Sequence, residues 1–371
     1  MNMKRIVTLM LSLLMIICLS ACNLRKLSEQ SYLNRQLTDT GFSGVVLMTK
    51  NGQTICKATG GIENPISNEP ITEKTLFCIG SVSKQFTAAA ILLLQQEGEL
   101  SIDNHLTQYF PNYTFGKDLT LRHLLEMRSG ITEFYDVEYI DDAFTELPTG
   151  ELRDVITNDK SIAENQETLE NWLLEQPLQF EPNTEYEYSN SNYFLLARIV
   201  EIVSGENYCD YVHSHIFKPL GMSHSIFIDE VNLRSLPHLA TPTVLPQTVY
   251  VGVTMGLGDI ISTVRDIDCW LTSLRTNALL TPESITMMST DYTNEDDEHY
   301  GFGVHLYGNA LFHFGYITTY QAMTYTEPEN GINVFIVTND DPNPDVDISD
   351  IGWNLIDRFS FFNTTFLLKQ R

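Results

Sequence analysis

Ser81 and Lys84 stand three residues apart at the start of an apolar stretch, a spacing that places a hydroxyl beside an amine. On a helix, residues at i and i+3 share one face, so the two side chains can come within hydrogen-bonding distance. Serine is a weak nucleophile until a base takes its proton, and an amine acts as that base when burial lowers its pKa. The spacing therefore predicts a serine nucleophile with a lysine base.

The surroundings of this pair carry more weight than the Ser-x-x-Lys pattern, which recurs about once by chance in a chain of this length. Between residues 75 and 96 the only charged residue is Lys84, and residues 86–94 are almost entirely apolar. Packing against such a surface supplies the desolvation that lowers the pKa of an amine. A helix that starts at Ser81 adds free N–H groups, which suit a developing oxyanion.

Strand-like segments occur at both ends of the chain, and helical periodicity dominates its middle. The turn signals Asn51-Gly52 and Gly308-Asn309 predict two hairpins. The expected strands are 44–49, 53–59, 302–307, 310–314, 320–326 and 332–338, and the expected helices include 121–127, 169–174, 193–203 and 348–361. We predict an α+β fold: an antiparallel sheet from both chain ends, flanked by helices, with an inserted, mainly helical lobe at about 119–251.

Residues 1–21 have the features of a secretory signal, because two basic residues precede a short apolar run and small residues precede Cys22. The segment resembles a bacterial lipobox, which implies cleavage before Cys22 and lipidation of that cysteine. The apolar run is short for a bilayer span, so a retained transmembrane anchor fits less well. We expect residues 22–28 to be a lipidated cysteine with a short tether, residues 29–371 to be the folded domain, and the protein to be membrane-anchored outside the cytoplasm.

The charge balance argues against nucleic acid as a partner. Without residues 1–21 the chain has 20 basic and 48 acidic residues, a formal charge of −28. Its acidic runs at 136–170 and 294–298 are typical of a solvated surface, with metal binding a minor alternative. We expect no metal site.

The four cysteines beyond Cys22 are widely spaced and include no Cys-x-x-Cys pair. They are Cys56, Cys78, Cys209 and Cys269. This pattern indicates neither a metal site nor a disulfide scaffold, and their pairing stays open. Cys78 lies in an apolar segment, which favours a buried packing thiol over a reactive one.

Six short motifs follow one another along the chain. They are Ser81-Val82-Ser83-Lys84, Leu121-Arg122-His123-Leu124-Leu125 with Ser129-Gly130-Ile131, Tyr188-Ser189-Asn190, Ser262-Thr263 with Asp266, Tyr300-Gly301-Phe302-Gly303, and His313-Phe314-Gly315. In type and order they resemble the serine hydrolase family of class C β-lactamases, D-Ala-D-Ala carboxypeptidases, D-aminopeptidases and related esterases. The resemblance runs from residue 44 to residue 361. It implies a β-lactamase/transpeptidase-like fold and an acyl-enzyme on Ser81, without a cofactor.

The Tyr-x-Asn motif occurs at Tyr188, Tyr292 and Tyr307, and its context favours the first. A turn precedes Tyr188 and a helical segment follows it, as in the family. Tyr292 and Tyr307 border an acidic loop and a hairpin turn instead. The resemblance implies that Tyr188 shares proton transfer with Lys84, while Asn190 hydrogen-bonds that lysine and the substrate. A structural tyrosine with its hydroxyl capped by a neighbour is the alternative for Tyr188.

The His-x-Gly motif occurs at His299 and His313, and strand alternation favours the second. His313 and Gly315 share one face of the expected strand and would line the cleft, while the flanking phenylalanines face the core. The resemblance implies that His313 orients the substrate, that Gly315 allows close backbone approach, and that the N–H groups of Tyr316 and Ser81 form the oxyanion hole. A hydrogen-bonded polar residue without a role in catalysis is the alternative for His313.

The third motif departs from the Lys-Thr-Gly of class C β-lactamases. His313 is expected to be mostly neutral near pH 7 and Phe314 has no hydroxyl, so two contacts to a β-lactam carboxylate are weakened or missing. This departure disfavours efficient penicillin hydrolysis.

Three hypotheses remain at this point. The first is a membrane-anchored serine hydrolase that acts through Ser81, Lys84 and Tyr188 on a small ester or a peptide with D-residues, including cell-wall peptide. The second is a β-lactamase or penicillin-binding carboxypeptidase. The third is a binding protein of the same fold without catalysis, against which the joint presence of these residues and Asn190 argues.

Overall fold

A six-stranded antiparallel sheet forms the centre of the structure, a computed structural model that describes residues 26–38, 40–140, 143–241, 252–295, 297–339 and 348–368. The strands are β1 Gly44–Lys50, β2 Gln53–Gly60, β3 Ile62–Asn64, β4 Glu69–Pro70, β5 Phe77–Cys78, β6 Tyr135–Ile140, β7 Ala143–Pro148, β8 Ile226–Phe227, β9 Ile260–Ser262, β10 His305–Tyr307, β11 Ala310–Ile317, β12 Tyr320–Glu327 and β13 Ile332–Thr338. The sheet order is β10-β11-β12-β13-β1-β2. Because β1 pairs with β13, with Gly44 opposite Thr338, the predicted sheet from both chain ends is confirmed.

Helices cover both faces of this sheet. They are α1 (residues 26–37), α2 Lys84–Glu97, α3 Leu121–Leu125, α4 Gly150–Arg153, α5 Ile162–Glu175, α6 Asn190–Ser204, α7 Tyr208–Val212, α8 Lys218–Leu220, α9 Val264–Thr276, α10 Pro282–Met288 and α11 Ile348–Leu368. A 3₁₀ turn, Gly80–Ser83, leads directly into α2. Every residue of α2 from Lys84 to Leu94 is buried, so this helix lies in the interior of the molecule.

The two faces of the sheet belong to two hydrophobic clusters. Leu311 of β11 packs in the cluster that contains the apolar residues of α2 and α6. Phe312 and Phe314, on the opposite face, pack in the cluster that contains α11 residues such as Leu355. The predicted alternation along β11 is therefore confirmed, and it places His313 on the sheet face that packs against α2 and α6.

The predicted strand at 302–307 is too long, because only residues 305–307 pair with β11. Gly303 has a φ of +71°, and a Cβ on it would lie 2.7 Å from the carbonyl oxygen of Lys84. A Cβ on Gly301 would overlap the Met288 carbonyl oxygen. The glycines of this segment therefore permit close backbone packing against α2 and α10, which replaces strand pairing.

The middle of the chain is mainly helical, as expected, with α3 to α8 in its described part. It also contains a hairpin that the sequence did not predict, in which Tyr135 of β6 lies opposite Pro148 of β7. The acidic composition of this segment suggested a solvated surface and masked its strand pattern.

Residues 1–25 lie outside the described residues, and the predicted signal and Cys22 lie there with them. Helix α1 contains the last three residues of the predicted tether, and its Glu29 accepts a hydrogen bond from Arg358 of α11 at 2.8 Å. Within the described ranges, we find no helix that combines the length and apolarity needed to cross a membrane.

Candidate active site

The 3₁₀ turn brings Ser81 and Lys84 together, as the i, i+3 spacing predicts. The Nζ of Lys84 lies 3.0 Å from the Oγ of Ser81. Lys84 is 0% exposed, whereas Ser81 is half-buried. The hydroxyl is therefore accessible to a substrate, while the amine is shielded from water.

Two further contacts fix the orientation of the Lys84 amine. Its Nζ donates to the side-chain oxygen Oδ1 of Asn190 at 2.7 Å and to the main-chain carbonyl of Leu257 at 2.9 Å. Both partners are neutral groups whose oxygens only accept. When the amine is neutral it has two N–H bonds and one lone pair, so donation to these two oxygens leaves the lone pair for Ser81. This geometry allows Lys84 to accept the Ser81 proton.

Tyr188 lies against the same amine, since its ring centroid is 4.9 Å from the Nζ of Lys84. The two other Tyr-x-Asn tyrosines are elsewhere: Tyr292 stacks on Phe302, and Tyr307 is 59% exposed beside Trp353. Of the three motifs, the structure therefore brings only the one at 188–190 to Ser81.

Met127 contacts the main chain on both sides of Tyr188. Its carbonyl accepts from the N–H of Glu187 at 2.9 Å, and its Sδ lies 3.3 Å from the N–H of Ser189. Met127 has a φ of +59°, an unfavourable conformation for a residue with a Cβ. The strain is consistent with a positioning role at this site.

Glu133 determines where α6 begins, and with it the position of Asn190. One carboxylate oxygen of Glu133 accepts from the N–H of Asn190 at 2.5 Å and from the N–H of Ser191 at 3.3 Å. Burial raises the pKa of Glu133, although hydrogen bonds from Ser189 and from three main-chain N–H groups oppose the shift. The sequence offers no signal for this contact, since Glu133 lies 57 residues before its partner.

Two glycines bring the end of β11 against the nucleophile. Gly80 has a φ of +51°, and a Cβ on it would lie 2.7 Å from the main-chain nitrogen of Tyr316. A Cβ on Gly315 would overlap the Ile79 carbonyl oxygen and lie 3.2 Å from the nitrogen of Ser81. The main-chain nitrogens of Ser81 and Tyr316 therefore lie on adjoining segments, as the predicted oxyanion hole requires.

His313 is close to the site but almost fully buried, at 2% exposure. Its Nδ1 lies 2.5 Å from the carbonyl oxygen of Phe314, which only accepts, so Nδ1 carries the proton. Burial, then the His305 ring and Lys84, lower the pKa of His313 well below its usual range. The ring is therefore neutral, and its Nε2 lone pair faces the Tyr300 hydroxyl at 3.5 Å.

A second histidine, His305, joins this group without having been predicted. Its ring centroid lies 5.0 Å from that of His313, 4.9 Å from that of Tyr300 and 6.3 Å from that of Tyr188. Burial is the main cause that lowers the pKa of His305 to about 4, and Lys84 acts in the same direction when its amine is protonated. The signal for His305 in the sequence was its position two residues after the Tyr300-Gly301-Phe302-Gly303 motif.

The remaining predictions concern cysteines and metals. All four described cysteines are free thiols, and Cys78 is buried, with burial raising its pKa to about 12. It is therefore a packing residue, as predicted. His299, the rejected His-x-Gly histidine, is at the surface beside Asp291. Within the described ranges, histidine, cysteine and carboxylate side chains do not gather into a group that could hold a metal ion.

Comparison with known proteins identifies similar sequences and structures. The family model described as Beta-lactamase matches residues 30–355. The Putative penicillin-binding protein PbpX of Bacillus subtilis is 26% identical over 76% of this chain and 67% of its own length. The curated relatives that follow are matched over only 38% and 35% of their own lengths.

Two solved structures illustrate the structural similarity. The octameric penicillin-binding protein homologue from Pyrococcus abyssi superposes with a TM-score of 0.68 and 25% identity, over 84% of this chain and 73% of its own. The D-amino acid amidase from Ochrobactrum anthropi SV3 superposes with a TM-score of 0.66 and 24% identity, over 86% of this chain and 91% of its own. The α+β fold with its antiparallel sheet and flanking helices is common to these structures.

Proposed function

We propose that this chain, which belongs to the β-lactamase family of serine hydrolases, cleaves small esters or amides of D-residues through an acyl-enzyme on Ser81. The family follows from the match over residues 30–355. The observation that carries the proposal is the 3.0 Å contact between the Nζ of Lys84 and the Oγ of Ser81. A buried amine whose N–H groups are occupied by Asn190 and Leu257 has its lone pair available for the serine proton.

Acylation begins when the Oγ of Ser81 attacks the substrate carbonyl carbon. The hydroxyl proton moves to Lys84, and the carbonyl oxygen becomes an oxyanion that accepts from the N–H groups of Ser81 and Tyr316. The bond to the leaving group then breaks, and the leaving group takes a proton through Tyr188, whose ring lies against Lys84. These transfers leave an ester on Ser81 and a neutral Lys84.

Deacylation repeats the sequence with water as the nucleophile. As the water oxygen attacks the acyl carbon, one proton passes from the water to the Lys84–Tyr188 pair. The bond between the acyl carbon and the Oγ of Ser81 then breaks, and the pair returns the proton to Oγ. The products are a carboxylic acid and the original enzyme. No cofactor enters either step.

The substrate class follows from the charge at the third motif. A site that binds a substrate carboxylate needs a cation or several hydrogen-bond donors. His313 is neutral, and its Nδ1–H already donates a hydrogen bond to the Phe314 carbonyl. Phe314 faces the opposite side of the sheet and packs against the α11 cluster. We therefore expect substrates without a free carboxylate near the scissile bond to be preferred.

A second candidate function is penicillin recognition, as a β-lactamase or D-Ala-D-Ala carboxypeptidase. It is favoured by the name of the Bacillus subtilis relative, a putative penicillin-binding protein. A slowly decaying penicillin adduct on Ser81 would support a carboxypeptidase, and a rapidly decaying adduct would support a β-lactamase. The absence of an adduct would exclude both.

The proposed location is the cell envelope outside the cytoplasm, with the protein attached to a membrane through a lipid on Cys22. The support is the sequence of residues 1–22, in which a basic start, an apolar run and small residues precede the cysteine. Cell-wall peptide is then an accessible substrate, and nucleic acid is not expected as a partner of a chain with a net charge of −26.

The test is a substrate panel with the purified full-length protein. It contains p-nitrophenyl acetate, D-alanine p-nitroanilide, a D-Ala-D-Ala dipeptide and a penicillin, with the Ser81→Ala variant as the control. We expect Ser81-dependent hydrolysis of the ester or the D-alanine amide at rates that exceed those on the two carboxylate-bearing substrates. Failure of every acyl donor to react at Ser81 would refute catalysis and favour the binding-protein hypothesis.

A further inference from the structure

Thr87 lies one turn beyond Lys84 on α2, and its hydroxyl is at the centre of a buried hydrogen-bond chain. Its Oγ1 donates to the main-chain carbonyl of Gly256 at 2.6 Å and lies 2.7 Å from the hydroxyl of Tyr208. Thr87 and Tyr208 are both 0% exposed. Water therefore does not compete for these contacts.

The direction of these hydrogen bonds follows from the number of hydroxyl hydrogens. The Gly256 carbonyl can only accept, so the Thr87 hydroxyl donates its one hydrogen bond to that carbonyl. The Tyr208 hydroxyl must then donate its hydrogen bond to the Oγ1 of Thr87. The order from donor to acceptor is Tyr208, Thr87, Gly256.

Gly256 is the residue before Leu257, whose carbonyl accepts from the Nζ of Lys84. The N–H of Gly256 donates to the Oδ2 of Asp259 at 3.2 Å, so both main-chain groups of Gly256 are held. Its φ is +75°, and a Cβ on it would lie 2.5 Å from the Cβ of Ala197 in α6. The turn at 254–259 is therefore fixed to α2, to α6 and to itself, with little freedom to shift.

We propose that Thr87, supported by Tyr208, is a positioning residue that sets the Leu257 carbonyl against the Lys84 amine and so directs the amine lone pair at Ser81. Loss of the Thr87 hydroxyl releases the Gly256 carbonyl, and the neighbouring Leu257 carbonyl loses its fixed direction. The Lys84 amine then rotates away from the serine for part of the time. The inference rests on the proposed function, in which Lys84 is the base.

The experiment measures how fast Ser81 is labelled by a fluorophosphonate, together with kcat and KM for p-nitrophenyl acetate. In labelling, the Oγ of Ser81 forms a bond to phosphorus, fluoride leaves, and the hydroxyl proton passes to Lys84. The variants of the full-length protein are Thr87→Val, which keeps the side-chain shape, and Thr87→Ser, which keeps the hydroxyl. The matched control is Thr326→Val, because Thr326 is also buried and its Oγ1 donates to Asn333 in the sheet, without a contact to Lys84.

For Thr87→Val we expect the labelling rate and kcat to fall about tenfold with KM within about twofold, since the change acts on the base and not on substrate binding. Thr87→Ser should recover at least half of the wild-type rate. Thr326→Val should lower the melting temperature while it retains the wild-type rate. Equal rates in Thr87→Val and Thr326→Val would overturn the proposal.

If Thr87→Val does not fold, the Tyr208→Phe variant tests the proposal instead, because it removes only the hydroxyl that supports Thr87. A labelling rate about two- to fivefold below that of the wild type supports the chain, and an unchanged rate overturns it. If Ser81 is labelled but the ester is not hydrolysed, the proposed substrate class is wrong. The labelling rates of the variants then still test the role of Thr87. A wild-type Ser81 that is not labelled would refute both proposals.

Discussion

Three groups that contact the Lys84 amine are neutral: the Ser81 hydroxyl, the Asn190 amide oxygen and the Leu257 carbonyl. A carboxylate at either acceptor position would stabilise the ammonium form and so weaken the base. Neutral acceptors at these two positions therefore favour the proposed transfer of the serine proton to Lys84.

Replacement of Asn190 tests this arrangement at a single contact. We expect Asn190→Ala to lower kcat for p-nitrophenyl acetate about tenfold to hundredfold, because one Lys84 N–H loses its acceptor and the lone pair loses its direction. Steady-state kinetics at pH 7 provide the measurement.

The matched control lies on the same helix. Asn192 is equally buried and accepts from the Ser129 hydroxyl at 2.6 Å instead of from Lys84. Asn192→Ala should lower the melting temperature but keep kcat within about threefold of the wild type. If the two variants lose the same activity, Asn190 is merely structural.

His305 makes the stability of the fold depend on pH. The unfolded chain protonates this histidine near pH 6.5, whereas the folded protein resists protonation down to about pH 4 because the ring is buried beside Lys84. Between these values the unfolded state binds more protons, so stability falls as the pH is lowered through this window.

We expect His305→Gln to lose less stability than the wild type between pH 7 and pH 4.5. Urea unfolding at the two pH values measures the difference for each protein. An identical loss in both proteins would show that His305 titrates normally in the fold.

The residues of the site differ in how readily the sequence reveals them. The spacing of Ser81 and Lys84 was enough to predict that these two residues meet, whereas the resemblance to the family implied that Tyr188 and Asn190 join them. The Leu257 contact is made by a main-chain carbonyl, which any residue could provide, and so it leaves no signature in the sequence.

At the scale of secondary structure, the site depends on the end of β11 lying directly on the 3₁₀ turn that carries Ser81. Gly315 makes this approach possible, since a Cβ there would overlap the Ile79 carbonyl oxygen. Strand and turn must stay in contact for the two N–H groups of the proposed oxyanion hole to converge.

Gly315→Ala should therefore separate β11 from this turn. We expect kcat to fall at least about tenfold and the free energy of unfolding to fall by about 1–3 kcal/mol, as for other overpacked sites. Gly150→Ala is the control, because a Cβ on Gly150 meets nothing within 4 Å. Wild-type kcat in Gly315→Ala would show that the close approach is not needed for catalysis.

The elements of the sheet were predictable because their signals are local. Asn51-Gly52 and Gly308-Asn309 connect strands where predicted, and both central residues Asn51 and Gly52 have positive φ, as a type I′ turn requires. The segment at 302–304 was wrongly predicted as a strand, because the apolar pattern does not reveal that Gly303 packs on the main chain of α2. Such long-range packing can be read only from the fold.

At the scale of the whole molecule, the candidate active site is assembled from distant parts of the chain. The turn before α2 supplies the proposed nucleophile and base, the start of α6 supplies Asn190, the turn at 254–259 supplies a carbonyl, and β11 supplies the strand of the proposed oxyanion hole. The site thus lies where the sheet meets the helical part, and it exists only when both are folded.

The proposed membrane anchor is independent of the candidate active site and is tested separately. We expect the wild type, expressed in a bacterium, to incorporate a labelled fatty acid and to sediment with membranes, whereas Cys22→Ala incorporates none and leaves the membrane fraction. Cell fractionation with metabolic labelling measures both. Fatty-acid labelling that persists in Cys22→Ala would contradict lipidation at this position.

The central claim is that Ser81 is a nucleophile activated by Lys84, and the most direct measurement is intact mass with peptide mapping after fluorophosphonate treatment of the full-length protein. We predict one adduct per wild-type molecule, located on Ser81, none on Ser81→Ala, and labelling at least about a hundredfold slower in Lys84→Ala. An adduct on another residue, or equally fast labelling without Lys84, would contradict the account.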